Sequence, residues 1–143
     1  LSMRKIIFAS HHRFADGLKD TFDYIAPNVA DVTAISAYVD NVPVAEAIKQ
    51  ALTGLDLSKD EVLVFTDLLG GSVNQAFTKY VSNPHFHVIS GMNLPVVMSI
   101  ILALPKDDYV DENFLRNCLE DARQQLVYVN DKFLQTELDE EDE

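Results

Sequence analysis

His11 and Asp67 are the residues of this sequence whose types and placement suit one specific reaction. A neutral imidazole, with an ordinary pKa of about 6.5, offers a nitrogen lone pair at neutral pH that can attack phosphorus. A carboxylate bonded to one ring nitrogen fixes the tautomer, leaves the other nitrogen free and stabilises the positive charge that develops on the ring. The run Gly70-Gly71-Ser72, just ahead of a helical pattern, adds backbone N–H groups for an anion with little steric obstruction. Ser72 has two readings, N-cap of that helix or hydroxyl donor to a phosphoryl oxygen, and one hydroxyl geometry need not serve both. Phosphoryl transfer is mainly a matter of positioning and charge stabilisation, which these groups supply.

Taken singly, each piece is ordinary. A histidine after a strand usually belongs to a loop, an aspartate there often caps a turn, and Gly-Gly-Ser is a common entry to a helix. No G-x-x-x-x-G-K-[ST] nucleotide loop occurs in the chain. The force of the reading comes from where the elements place the pieces.

Lys5 to Ala9 is a short, nearly continuous apolar run, as expected of a strand covered on both faces. Val32 to Ala37, Glu61 to Thr66 and Phe86 to Ser90 read the same way, and Leu126 to Val129 as a last strand. Between them the apolar residues take helical spacing: Phe14, Leu18, Phe22 and Ile25; Val44, Ile48, Leu52 and Leu55 behind Pro43; Val73, Ala76, Phe77, Tyr80 and Val81. Leu94 to Leu104 reads as a short buried helix, and Asp111 as the cap of a further helix bearing Phe114, Leu115, Cys118, Leu119 and Ala122. Such alternation implies right-handed crossovers and a doubly wound α/β domain, its central sheet mainly parallel with helices on both faces.

Open sheets of this kind bind ligands beyond the C-terminal ends of their strands, where the strand order reverses. The residues just after the first strand are Ser10-His11-His12, those after the third run from Asp67 to Ser72, and those after the fourth are Gly91-Met92-Asn93. If the first and third strands are neighbours, His11 and Asp67 face each other across that crevice. Arg13, beside it, either favours an incoming phosphoryl group or is simply solvated. His85 and His87 flank Phe86 at the other end of a strand, and without further ligands they read as surface or structural residues, so no metal and no cofactor is expected.

Composition narrows the classes. No stretch approaches the ~20 apolar residues of a membrane-spanning helix, and Leu94 to Leu104 is interrupted by Pro95 and Ser99. The N-terminus has no apolar signal-peptide core, and Met3 reads as a natural start with Leu1-Ser2 added ahead of it. Cys118 cannot form a disulfide within the chain and falls on an apolar stripe, which fits a buried thiol in a reducing, cytoplasmic compartment. The formal charge is −12, of which six acids lie between Glu137 and Glu143, leaving the body at −6. Residues 1–133 thus read as one domain and 134–143 as an acidic, disordered tail. So acidic a chain is a poor ligand for nucleic acid, whose binding rests on neutralised phosphates.

Three segments together resemble a known family. Ile6-Ile7-Phe8-Ala9-Ser10-His11 followed by Phe14-Ala15-Asp16-Gly17-Leu18 is similar to the active-site segment of the IIA domains of the mannose-type phosphoenolpyruvate-dependent sugar phosphotransferase system. Thr66-Asp67-Leu68-Leu69-Gly70-Gly71-Ser72, with Asn74 and Ala76, resembles that family's second signature, and Ile89 to Pro95 its third. The resemblance implies a phosphotransferase that carries the phosphoryl group on His11, oriented by Asp67, with Gly70, Gly71 and Ser72 holding the group. It implies phosphorylated HPr as donor and a IIB component as acceptor, acting with a membrane IIC/IID transporter. It also implies a homodimer whose last strand, Leu126 to Val129 here, runs antiparallel in the partner's sheet.

The family usually has glycine directly after the active histidine, where this chain has His12, which gives up glycine's backbone freedom and adds a second nucleophile. His11 is the expected acceptor because it follows Ser10 in the motif; His12, Arg13 and Asn93 are assigned to partner contact or a secondary site. Rival readings are the phosphoryl-donor subunit of a dihydroxyacetone kinase, which resembles the same fold, and a regulatory module without transfer. A receiver domain phosphorylated on Asp67 would need an acidic pair after the first strand to hold magnesium, and Ser10-His11-His12 stands there instead.

Overall fold

The computed structural model describes residues 1–134. Its strands are β1 (Arg4–His11), β2 (Val32–Ala37), β3 (Glu61–Thr66) and β4 (Phe86–Ser90). Its helices are α1 (Phe14–Ile25), α2 (Val44–Ala51), α3 (Ser72–Thr78), α4 (Leu94–Ile101) and α5 (Glu112–Arg123). The strands form a parallel sheet in the order β2-β1-β3-β4, so the order reverses between β1 and β3.

Alternate residues of each central strand feed opposite cores, because strand side chains alternate in direction. Ile6 and Phe8 of β1 and Leu63 and Phe65 of β3 join Leu18, Phe22, Val97, Ile100 and Leu115 under α1, α4 and α5. Ile7, Ala9, Val62 and Val64 meet Ile48, Val73 and Phe77 under α2 and α3. Burial on both faces explains why the sequence shows apolar runs here without alternation. Cys118 is buried in the first of these cores.

Polar side chains set several of the helix starts. Ser10 Oγ, fully buried, accepts the Ala15 N–H at 2.7 Å and donates to the His12 carbonyl at 3.0 Å, tying the end of β1 to the first turn of α1. Asn93 caps α4 by accepting the Val96 N–H at 2.9 Å, and Asp111 caps α5 by accepting the Phe114 N–H at 2.7 Å. The third motif is tied to the second by the Met92 N–H on the Thr66 carbonyl, 2.9 Å.

The expected last strand is not formed in the isolated chain. Residues 126–128 carry no regular structure and residues 129–134 turn into a short helix. The reason is local: a strand needs an edge to pair with, and in the isolated chain the Gln125 and Leu126 N–H groups bond back to the Ala122 and Arg123 carbonyls instead. Among the described residues the sheet is therefore four-stranded and wholly parallel. Of the acidic tail, residues 135–143 lie outside the described residues.

Candidate functional site

Because β1 and β3 pair directly, with Ala9 opposite Thr66, the residues that follow them meet at the reversal of strand order. Asp67 Oδ2 lies 2.8 Å from His11 Nδ1 and also accepts the His11 backbone N–H at 2.8 Å, while its Oδ1 accepts the Leu68 N–H at 2.9 Å. Partial burial works against ionising Asp67, but these donors outweigh it and hold the carboxyl below its ordinary value of 3.8. An ionised carboxylate only accepts, so Nδ1 of the neutral ring carries the proton and Nε2 the lone pair. Nε2 faces Ser72 Oγ at 3.2 Å.

The second loop is shaped to let this happen. Gly70 has φ +75°, the left-handed region that glycine enters without penalty. A Cβ on Gly71 would lie 3.3 Å from His11 Cε1 and 3.2 Å from the Leu68 carbonyl, so glycine is what lets the ring approach this closely. Both glycine N–H groups are engaged within the loop, Gly70 with Asn74 Oδ1 at 3.1 Å and Gly71 with the Leu68 carbonyl at 3.0 Å. The N–H groups of Ser72 and Val73, the first residues of α3, have no intrahelical acceptor. Ser72 does not cap α3, which removes the N-cap reading, and its hydroxyl faces the ring.

Asn93 spends its side-chain oxygen on the α4 cap, and among the described residues no hydrogen bond links it to His11 or Ser72. Arg13 is exposed at the start of α1, and the His12 ring is exposed with no hydrogen bond or ion pair among the described residues. His11 is thus the histidine held between a carboxylate and a hydroxyl.

Comparison with known proteins follows the same lines. Residues 5–114 match the family model described as the PTS system fructose IIA component, of the mannose-type EIIA group. The chain belongs to this family.

The fold is similar to that of a phosphoenolpyruvate-dependent sugar phosphotransferase system permease from Klebsiella pneumoniae, 32% identical with a TM-score of 0.82, covering 92% of this chain and 94% of that one. It is also similar to the phosphotransferase system component EIIA from Streptococcus agalactiae, 26% identical over 90% of this chain and 98% of that one, TM-score 0.71. A IIA protein associated with the fucose utilization operon of Streptococcus pneumoniae is 25% identical, with a TM-score of 0.73 and coverage of 92% and 96%. A search of curated protein sequences gives no match. Among the described residues no helix is long and apolar enough to cross a membrane.

Two features of this IIA chain escaped the sequence reading. Buried Asn74 donates to Thr66 Oγ1 at 3.0 Å while holding the Gly70 N–H, so the end of β3 and the glycine loop are tied by one amide. The spacing of Asn74 from Thr66, with a helix turning back over the strand end, is a signal that could have shown this. Tyr38, from the loop after β2, places its hydroxyl 2.6 Å from Ser72 Oγ and its ring 5.5 Å from the His11 ring. The strand-end rule applied to β2 points to Tyr38.

His12 stands at φ +53°, a left-handed backbone, and its N–H bonds the Ala37 carbonyl at 2.7 Å. The position is thus built for glycine, and histidine occupies it at a strain of about 1 kcal/mol. We expect His12→Gly to be as stable as the wild type or slightly more so, since relief of strain offsets the added freedom of the unfolded chain. His12→Val, β-branched at positive φ, should cost about 1–2 kcal/mol. Thermal unfolding of the pair decides it, and a His12→Gly protein less stable than His12→Val contradicts the account.

Proposed function

We propose that this chain is the IIA phosphoryl carrier of a sugar phosphotransferase system, accepting phosphoryl from phosphorylated HPr on His11 Nε2 and passing it to a IIB component. The IIB component in turn serves the membrane IIC/IID transporter, so the carrier itself works in the cytoplasm. The observation that supports this most is the His11 ring, bonded to Asp67 at Nδ1 with Nε2 turned to the Ser72 hydroxyl.

On this reading the Nε2 lone pair attacks phosphorus, the donor's bond to phosphorus breaks, and its electron pair stays on the donor. The Nδ1 proton remains in place, so the phosphorylated ring carries a positive charge beside the Asp67 carboxylate. Ser72 donates its hydroxyl and backbone N–H to the phosphoryl oxygens, with the Val73 N–H next to it. Gly70 and Gly71 act by shape, one through its left-handed turn and the other through close approach to His11. Transfer to the acceptor reverses these events, the electron pair of the N–P bond returning to Nε2. Incubation with phosphoenolpyruvate, enzyme I and HPr should add one acid-labile phosphoryl group to the intact mass. A folded protein that takes up none, beside a control acceptor that does, would overturn the proposal.

We further propose that the carrier is a homodimer. Leu126, Tyr128, Val129, Phe133 and Leu134 are exposed apolar side chains at the end of the described chain, and β4 is an edge strand with unpaired backbone groups. Segment 126–129 of one copy pairing antiparallel with β4 of the other would bury both features at once. Sedimentation equilibrium should give twice the chain mass at micromolar concentration, and a chain ending at Gln125 should sediment as a monomer. A full chain that is monomeric at that concentration rules the dimer out.

A further inference from the structure

Tyr38 is the member of the site that neither the motifs nor the family reading assigns. With Asp67 ionised, hydrogen-bond directions in the cluster follow in order. His11 Nδ1–H donates to Asp67, so Nε2 must accept, and Ser72 Oγ, 3.2 Å away, donates its one proton there. Ser72 Oγ is 2.6 Å from the Tyr38 hydroxyl and has no second proton, so Tyr38 donates to Ser72. In the resting neutral-ring state the chain of donors therefore runs Tyr38 to Ser72 to His11 to Asp67, and it caps the lone pair that has to attack phosphorus.

A second observation is independent of this chain. Tyr38 holds φ +69°, a backbone region that bulky residues seldom enter. The turn is fastened to the histidine loop by the His12 N–H on the carbonyl of Ala37, 2.7 Å. The ring remains half-exposed, tilted 42° to the His11 ring, so burial of the phenyl group does not account for the strain. Strain at an accessible position that aims a hydroxyl at the site is characteristic of functional loops.

We propose that Tyr38 is a phosphoryl-binding residue of this carrier. The inference rests on His11 being the phosphoryl acceptor. A phosphoryl group on Nε2 displaces the Ser72 hydroxyl from the lone pair, and its oxygens come to lie where that hydroxyl stood. Those oxygens only accept, so Ser72 and Tyr38 both turn their protons to them, and the Tyr38 ring screens the N–P bond from water on one side. The proton count is unchanged: one donor hydrogen bond from Tyr38 to Ser72 is exchanged for one from Tyr38 to the phosphoryl group. Because the new acceptor is charged, Tyr38 favours the phosphorylated form.

The test is Tyr38→Phe, which keeps the ring and removes the hydroxyl. The measurements are the equilibrium of phosphoryl exchange with HPr and the half-life of the isolated phosphoprotein. We expect Tyr38→Phe to unfold at the wild-type temperature and still take up one phosphoryl group. Its exchange equilibrium should move toward the donor by about tenfold, as loss of one charge-assisted hydrogen bond implies, and its phosphohistidine should hydrolyse faster. The 31P resonance of the phosphohistidine should also shift, which a remote structural role would not cause. Equilibrium and half-life within twofold of the wild type overturn the inference while leaving the carrier function standing. A wild type that takes up no phosphoryl group from an active donor overturns both.

Discussion

His11→Ala should fold normally and take up no phosphoryl group from phosphorylated HPr, while His12→Ala takes up the wild-type amount. The two histidines are adjacent in sequence, but only one is held in a reactive geometry. His11 sits between Asp67 Oδ2 at 2.8 Å and Ser72 Oγ at 3.2 Å, whereas the His12 ring projects from a left-handed turn with no fixing partner among the described residues. Asp67→Asn should retain binding of the donor and lose about 10²–10⁴-fold in transfer rate. The amide has one acceptor oxygen where the carboxylate serves three donors, the His11 ring, the His11 N–H and the Leu68 N–H. It also carries no charge to balance the phosphorylated ring. Asp67 titrates below 3.8, so its support of the fold is complete above that pH and disappears only as the pH falls through the lower, folded value. The wild type should therefore keep its ionised Asp67 throughout the neutral and mildly acidic range. Intact-mass measurement on the three variants decides the assignment, and loss of uptake in His12→Ala alone would transfer it to the neighbouring residue.

The parts of this site that were legible in the sequence are those fixed by backbone topology. Apolar runs such as Ile6-Ile7-Phe8 and Val62-Leu63-Val64-Phe65 could only be strands buried on both faces, and alternation with helices then forced a parallel sheet. Once β1 and β3 were neighbours, His11 and Asp67 had to meet. Legibility ended where side-chain choice depends on a neighbour distant in sequence. Asn93 was legible as a residue at a strand end, but not as the cap of α4, which the Val96 N–H reveals. The glycine N–H groups were expected to serve an anion, but Asn74 and the Leu68 carbonyl occupy them. Tyr38 stands at a strand end that the topology rule reaches, but no motif encodes the left-handed φ of the turn that places its hydroxyl beside Ser72. Leu126 to Val129 has strand composition, yet composition cannot supply the edge that a strand requires, and the single chain leaves it unpaired.

Glu61→Ala should lower stability by about 3–5 kcal/mol, the usual result of stranding a buried partner charge. For a chain of this size that corresponds to a fall in melting temperature of about 10 °C or more. Glu61 opens β3, opposite Arg4 of β1 in the sheet register, and its side chain is fully buried. Oε1 takes Arg4 Nε at 2.6 Å and Oε2 takes the Val110 N–H at 2.8 Å. The same guanidinium donates to the Pro105 carbonyl at 2.6 Å and the Asp108 carbonyl at 2.7 Å. One ion pair thus fastens the connection between α4 and α5 to the start of the sheet, at the end away from His11. A buried pair can often be exchanged for apolar residues without loss, but here Arg4→Met with Glu61→Leu should not restore stability. The exchange would leave the buried Val110 N–H and the part-buried Pro105 carbonyl without their partners, and unmet backbone groups are costly away from water. Arg116→Ala is the control: its pairing with Glu112 at 3.0 Å is exposed, and its loss should not be measurable. Thermal melts of the four proteins test the account, with phosphoryl uptake measured well below the transition expected to be normal in each. A Glu61→Ala protein melting with the wild type, or a double variant that recovers fully, would show that the loop is held by something other than this pair.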